Sequence, residues 1–296
     1  MAKNVKSGPH IACELTSERV VAARVTEDGA ALEAYTSRAI AAGAITPHLG
    51  EANIANTDAV RQAVTDSLTT VGSKTRDVIA ILPDASVRVA LLEFEALPEK
   101  RAEADSVVRF RLKKALPFDV EKASVSYSVS RANGTIRVVA AVVLRTVLDE
   151  YEAIFRSLGY LPGIVVPSTL AALGNVDSPD ATLVIKADAG TTTLSIVGGG
   201  DLLLFRTLEN SDGIAPTGDQ LVQDVHASLV FFEDTYNMRV DRILVGGAID
   251  AEQVGSTLEG ETEVLVQDLV SARHFPSVKP NFPAASLAGV VGALLG

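Results

Sequence analysis

The chain begins the same way twice. Residues 11–15, 20–25 and 31–40 are apolar runs of strand length parted by polar turns, the second turn being Glu27-Asp28-Gly29. Residues 182–186 and then 187–208 again read as strand, turn, strand, turn, strand, broken at Asp188-Ala189-Gly190 and at Gly198-Gly199-Gly200-Asp201. Placing Asp188 on Glu14, an offset of 188 − 14 = 174 residues, puts a carboxylate at the head of the first turn in both copies. Self-similarity at a fixed spacing marks a duplicated structural unit. Each meander is followed by helical and buried-strand patterns, so the expected fold is α/β with two similar halves.

Length and composition agree with two domains of ordinary size: 296 residues, 47% apolar and 21% charged. The net charge of −11 repels a phosphate backbone at long range and disfavours a general nucleic-acid role. Cys13 is the one cysteine, which excludes an intrachain disulfide framework and fits a reducing compartment. Residues 1–10 hold two lysines but no apolar stretch behind them, so no secretory signal is expected. The longest apolar runs, 138–144 and 286–295, fall short of the roughly 20 residues a membrane helix needs. A cytoplasmic protein is expected, reaching a membrane peripherally or through a partner.

Between the meanders, residues 57–71 carry apolar side chains at helical spacing behind Asn56 or Thr57 as cap, and 78–82 form a buried strand closed by Pro83. From Ala85 the texture changes to a strand at 87–94, a charged helix at 99–116 ending at Pro117, a hairpin of 124–129 with 135–144 about Asn133-Gly134, and a helix at 147–158. This βαββα order reads as an inserted subdomain. The expected division is 1–84 with 160–180 as a first half, 85–159 as the insertion, and 181–296 as a second half. The second half adds strands at 182–186 and 187–208, a helix at 219–236, a strand into Gly246-Gly247, a short helix, a strand near Val264 and a small-residue C-terminal helix.

The chemistry-bearing candidates are few. Asp188-Ala189-Gly190-Thr191-Thr192-Thr193 combines a carboxylate, a glycine that lets the backbone approach an anion, and hydroxyls, a set suited to phosphate with Asp188 on a hydrated Mg²⁺; the same residues also make an ordinary hairpin turn. Val245-Gly246-Gly247 after an apolar strand offers a flat backbone surface to a nucleoside, or simply a tight turn. No P-loop, zinc-protease or nucleophile-elbow motif is present, and His10, His48, His226 and His274 are scattered. Residues 99–114 are locally basic, with Lys100, Arg101, Arg109, Arg111, Lys113 and Lys114 against Glu99, Glu103 and Asp105. That run is either a solvated helix face or a docking surface for an acidic partner.

The run 107–119 (VVRFRLKKALPFD), with Leu82-Pro83, Leu91-Leu92-Glu93-Phe94 and Leu97-Pro98 upstream, resembles the PilM family of type IV pilus assembly proteins, actin-like relatives of the division protein FtsA. The resemblance implies an actin-like (ribonuclease H-like) pair of halves with this βαββα insertion. It implies a cleft that binds ATP with Mg²⁺ and a groove that holds the cytoplasmic N-terminal peptide of the inner-membrane protein PilN. By resemblance, Glu14, Thr16 and Ser17 match the first phosphate loop; Asp188, Gly190, Thr191 and Thr192 the second, with Asp188 toward the metal; and Gly246 and Gly247 the adenosine turn. Arg109, Arg111, Lys113 and Lys114 become candidate rim contacts for the partner. Three departures stand out: Glu14-Leu15-Thr16-Ser17-Glu18 lacks the loop glycine and adds a carboxylate, Val21 replaces a basic residue, and one helix stands between Arg206 and Ile243 where the family has a further helical subdomain. The expectation is a scaffold peripheral to the inner membrane through its partner, with nucleotide binding weakened or lost. A working Mg-ATPase and a filament-forming FtsA-like protein are the alternatives.

Overall fold

A computed structural model describes residues 8–72, 75–132, 134–210, 213, 215–275 and 280–296. Residues 1–7, Ser73, Lys74 and Asn133, the last expected in the hairpin turn, lie outside them. The first half opens with β1 (Ile11–Leu15), β2 (Arg19–Val25) and β3 (Leu32–Ala39), followed by α1 (Thr57–Val71) and β4 (Asp77–Leu82). The insertion then supplies β5 (Arg88–Phe94), α2 (Arg101–Leu112), β6 (Ala123–Ala132), β7 (Thr135–Leu144) and α3 (Arg145–Ser157). After β8 (Leu161–Pro167) and α4 (Ser168–Ala172) come β9 (Thr182–Ala187), β10 (Thr191–Gly198), β11 (Asp201–Glu209), α5 (Asp219–Tyr236), β12 (Arg242–Gly247), α6 (Ala251–Thr262), β13 (Val266–Asp268) and α7 (Ala288–Leu295).

The duplication is present in the sheets. The first has the order β3-β2-β1-β4-β8 and the second β11-β10-β9-β12-β13. In both, the first three strands are an antiparallel meander and the last two join in parallel. The register differs from the one read in the sequence. Leu15 pairs with Val20, as Ala187 pairs with Thr192. The Thr16 amide donates to the Arg19 carbonyl at 2.9 Å, as the Asp188 amide does to Thr191 at 2.8 Å. The structural offset is therefore 187 − 15 = 172 residues, which sets Glu14 on Lys186 and Thr16 on Asp188. Turn closure decides the equivalence, whereas the offset of 174 followed residue type.

Strand alternation then fixes what faces what. In β1, Ile11, Cys13 and Leu15 enter a core shared with Val64 and Leu68 of α1 and Tyr151 and Phe155 of α3. In β9, Leu183, Ile185 and Ala187 enter one built with Val225 and Phe232 of α5 and Leu258 of α6. The opposite faces meet in a middle layer: Ala12, Val21 and Ile81 from the first sheet, Val184 and Leu244 from the second, with Ala171, Leu287, Val290 and Val291 packed among them. Because side chains alternate along a strand, Glu14 follows Ala12 and Lys186 follows Val184 into this middle layer.

The insertion is a three-stranded sheet, β5-β7-β6, covered by Val108 and Leu112 of α2. Its last helix behaves differently, since Val147, Tyr151, Ile154 and Phe155 of α3 pack into the first-half core. Arg137 on β7 ties the insertion to the second half, 3.2 Å from the Asp201 carboxylate and over the Tyr236 ring.

The C-terminal helix closes the middle layer through glycine. A Cβ on Gly292 would stand 2.2 Å from the Ala171 carbonyl oxygen and 2.9 Å from Asn175 Nδ2. Gly292→Ala therefore forces α7 off α4, and overpacking of this kind costs about 1–3 kcal/mol. Thermal denaturation should show a fall in Tm of roughly 2–10 °C; an unchanged Tm would mean that the contact relaxes freely.

Candidate functional site

The two first turns and the start of the C-terminal region converge in the middle layer on a buried cluster of charges. Glu14 and Lys186 are each 2% exposed at the side chain, and Lys186 Nζ lies 3.1 Å from Glu14 Oε1. The same ammonium donates to both oxygens of Asp188, each at 3.2 Å. An ammonium has three donors, and Glu14 with the two Asp188 oxygens takes all of them. Glu14 Oε1 also accepts from the Ser168 hydroxyl of α4. Glu14 Oε2 is buried without a hydrogen-bond partner and faces α7, where a Cβ on Gly289 would fall 2.5 Å from it.

A third carboxylate completes the cluster. Asp84 stands in the 3-10 turn Asp84–Ser86 behind Pro83, at the root of the insertion. It accepts from the Thr169 amide at 3.0 Å, from the Thr169 hydroxyl, and from the Thr193 hydroxyl of β10 at 3.2 Å. Asp84 thus joins the insertion root, α4 and the second half. Burial raises the Glu14 and Asp84 carboxyls above the usual range, with Lys186 opposing the shift. Burial alone would lower Lys186, but Asp188, Glu14 and Asp84 outweigh it and hold the ammonium above its ordinary value.

The expected nucleotide residues are divided by this arrangement. Glu14, Thr16, Asp188 and Gly247 surround a cavity of about 10 Å³, completed by Glu18, Arg19, Val21, Lys186, Ala248 and Ser286. That is room for one water molecule. Thr16, Ser17, Asp188, Gly190 and Thr191 line a wider cavity of about 620 Å³, and neither Gly246 nor Gly247 is in its lining. Among its described lining residues are three carboxylates, Glu18, Asp188 and Glu209, and no lysine or arginine. Thr192 donates its hydroxyl to Asn210 at 2.8 Å, and the Asn210 side chain in turn donates to the Asp188 and Ala189 carbonyls, stitching the second turn shut. Gly246 packs against Ala288 and Leu269, while Gly247 takes a left-handed φ of 89° in contact with Ala187.

The first turn differs from a phosphate cradle as well. Its Glu18 and Arg19 amides donate to Thr16 Oγ1 at 3.3 and 3.1 Å, so the threonine hydroxyl sits where an anion would. Among the described residues no group of three or more His, Cys, Asp or Glu side chains is placed to hold a metal ion. Asp188, the expected metal ligand, has both oxygens on Lys186. These residues do not fit a metal-bound triphosphate: the converging space is too small, Lys186 and the Glu18 and Arg19 amides already have partners, and the open side is acidic.

The basic run is partly structural. Arg109 is half-buried and donates to the Val120 carbonyl at 3.0 Å, and the exposed Arg111 lies over the Phe94 ring. Lys113 and Lys114 are exposed in the turn that ends α2. Pro117, just beyond them, lines a groove of about 490 Å³ with Pro47, Leu49, Val87, Val89 and Phe205, and with Arg88, Arg206, Asp84 and Glu209 as its charged residues. The groove runs between the loop after β3, the insertion and β11. Lys186, Asp84, Ser168 and Thr169 were not singled out in the sequence. The signal for Lys186 was a lone lysine in Thr182–Ala187, a strand otherwise free of charge.

No family model matches the sequence, and no curated protein matches it. Among solved structures, a chain of a PilM–PilN type IV pilus biogenesis complex superposes with a TM-score of 0.82 at 17% identity, over 97% of this chain and 98% of that one. The chain has the PilM fold. The cytoplasmic domain of EpsL, an inner-membrane component of the Vibrio cholerae type II secretion system, matches less closely, with a TM-score of 0.51 at 10% identity over 79% of this chain and 80% of that one. At these identities the likeness is one of fold.

The raised Asp84 carboxyl has a pH consequence. A group whose folded pKa exceeds its unfolded value contributes stability that is full below the unfolded pKa, roughly 3.9, and is lost as pH rises through the folded value. The Tm of Asp84→Asn minus that of the native protein should therefore fall as pH drops from 7 toward 4. A difference that grows on acidification would mean that the ionised carboxylate is the favoured buried form.

Proposed function

We propose that this chain is a PilM-like actin-fold scaffold of a type IV pilus machine, holding the cytoplasmic N-terminal peptide of a PilN-like inner-membrane protein. The observation that carries the reading is the near-complete superposition on a PilM–PilN complex chain, insertion included. No described helix is long and apolar enough to cross a membrane, so attachment to the inner membrane runs through that partner.

The groove beside Pro117 suits such a peptide. Val87, Val89, Leu49 and Phe205 offer apolar contact to an extended segment, and Arg88 and Arg206 add positive charge to the same lining. Lys113 and Lys114 lead into Pro117 and supply positive charge in a chain of net charge −11, which favours a peptide with acidic residues beside its apolar ones. Nucleotide has no part in this reading, which is supported by the Lys186 ammonium already serving Glu14 and Asp188. The protein then works by joining partners, without turnover.

Calorimetry with the cytoplasmic peptide of a PilN-like protein encoded beside this chain should show micromolar binding. Lys113→Glu/Lys114→Glu should keep the native Tm and weaken binding about 3- to 10-fold, with the loss shrinking at high salt. No binding at high micromolar concentration would overturn the reading. Polymers in sedimentation would point to a filament-forming protein instead.

A further inference from the structure

We propose that Lys186 is a built-in cation, standing in for the divalent ion that the resemblance implies beside a nucleotide, and holding the two halves closed at all times. The inference concerns the cleft and does not depend on the partner peptide.

Four observations lead to it. Glu14 and Lys186 occupy equivalent places in the two duplicated sheets, and alternation turns both into the middle layer, where they meet at 3.1 Å. The ammonium serves carboxylates on both sides of the cleft: Glu14 from the first half and Asp188 from the second, with Asp84 completing the negative field. Every donor of the ammonium is taken, and the space left among the converging turns is that of one water. Thr16 Oγ1 occupies the amides of the first turn, so no anion is needed there to satisfy them.

Two carboxylates facing one another across a cleft repel unless a cation stands between them or one of them takes a proton. A divalent ion supplies that positive charge at an occupancy that depends on its concentration, so closure can be switched. A lysine in the chain supplies it at full occupancy and cannot leave. The predicted behaviour is a cleft indifferent to magnesium, to chelator and to ATP.

Thermal unfolding of the full chain tests this. The native Tm should be unchanged by millimolar Mg²⁺, Mn²⁺, EDTA or Mg-ATP. Lys186→Ala should lower it, and in that variant millimolar Mn²⁺ should raise Tm by roughly 3 °C or more, since the freed carboxylates can then take a metal. Glu14→Gln/Lys186→Met, which removes both charges while keeping the volume, should fold and lose the Mn²⁺ response. If Lys186→Ala does not fold, folding of the double variant still supports the charge argument, and failure of both overturns it. Stabilisation of the native protein by Mg-ATP, abolished by Asp188→Asn, would overturn the proposal, as would a Lys186→Ala protein with native Tm and no response to Mn²⁺.

Discussion

The buried pair of Glu14 and Lys186 is the interaction around which the two halves are arranged. At 3.1 Å, with an effective dielectric near 20, its Coulomb attraction is about 5 kcal/mol before desolvation is subtracted. Desolvating two ions offsets much of that, so the pair adds little net stability over an apolar substitute. Its physical effect is selective. Either charge left alone in the middle layer would be strongly unfavourable, so any packing of the sheets that separates Glu14 from Lys186 is disfavoured. A non-directional apolar layer of Ala12, Val184 and Leu244 could not choose the alignment in this way.

The remaining polar contacts extend that alignment outward. Ser168 donates to the same Glu14 oxygen that faces Lys186, Asp84 receives Thr169 and Thr193, and Asn210 closes the second turn. One carboxylate at the insertion root therefore touches both halves, while Arg137 and Asp201 pin the far end of the same insertion to β11's turn. The insertion is braced at two places against the second half, which gives the groove between them defined walls. A groove between three packed elements is more rigid than one on a free loop, and rigid walls lower the ordering cost of any binding there.

Local pattern was readable wherever one face of an element was apolar and its ends were marked. The helix expected at 57–71 is α1, with Asn56 accepting from the Ala59 amide as its cap. The helix expected at 99–116 stops at Leu112, because Arg109 reaches across to Val120 and the chain turns at 113–115 ahead of Pro117. The five-residue α4 was not foreseen, since it is too short for a periodic signal, yet it supplies Ser168 and Thr169 to the cluster. Of the candidate nucleotide residues, Thr16, Ser17, Asp188, Gly190 and Thr191 do share a cavity, whereas Gly246 lies in the packed middle layer.

By itself the sequence determined the α/β class, the duplication, the insertion and its βαββα order, because these follow from periodicity and from turn residues that act over a few positions. It also held the family likeness, in the run 107–119 and the turns around it. Only the tertiary structure decided the register of the duplication and the chemistry of the cleft. Residues 172 apart become neighbours when two sheets face each other, and neither Glu14 nor Lys186 carries any local mark of its partner. A carboxylate in a strand reads as a phosphate-loop residue until the opposite strand is seen to present a lysine to it. Burial then turns two ordinary charges into a pair that must stay together.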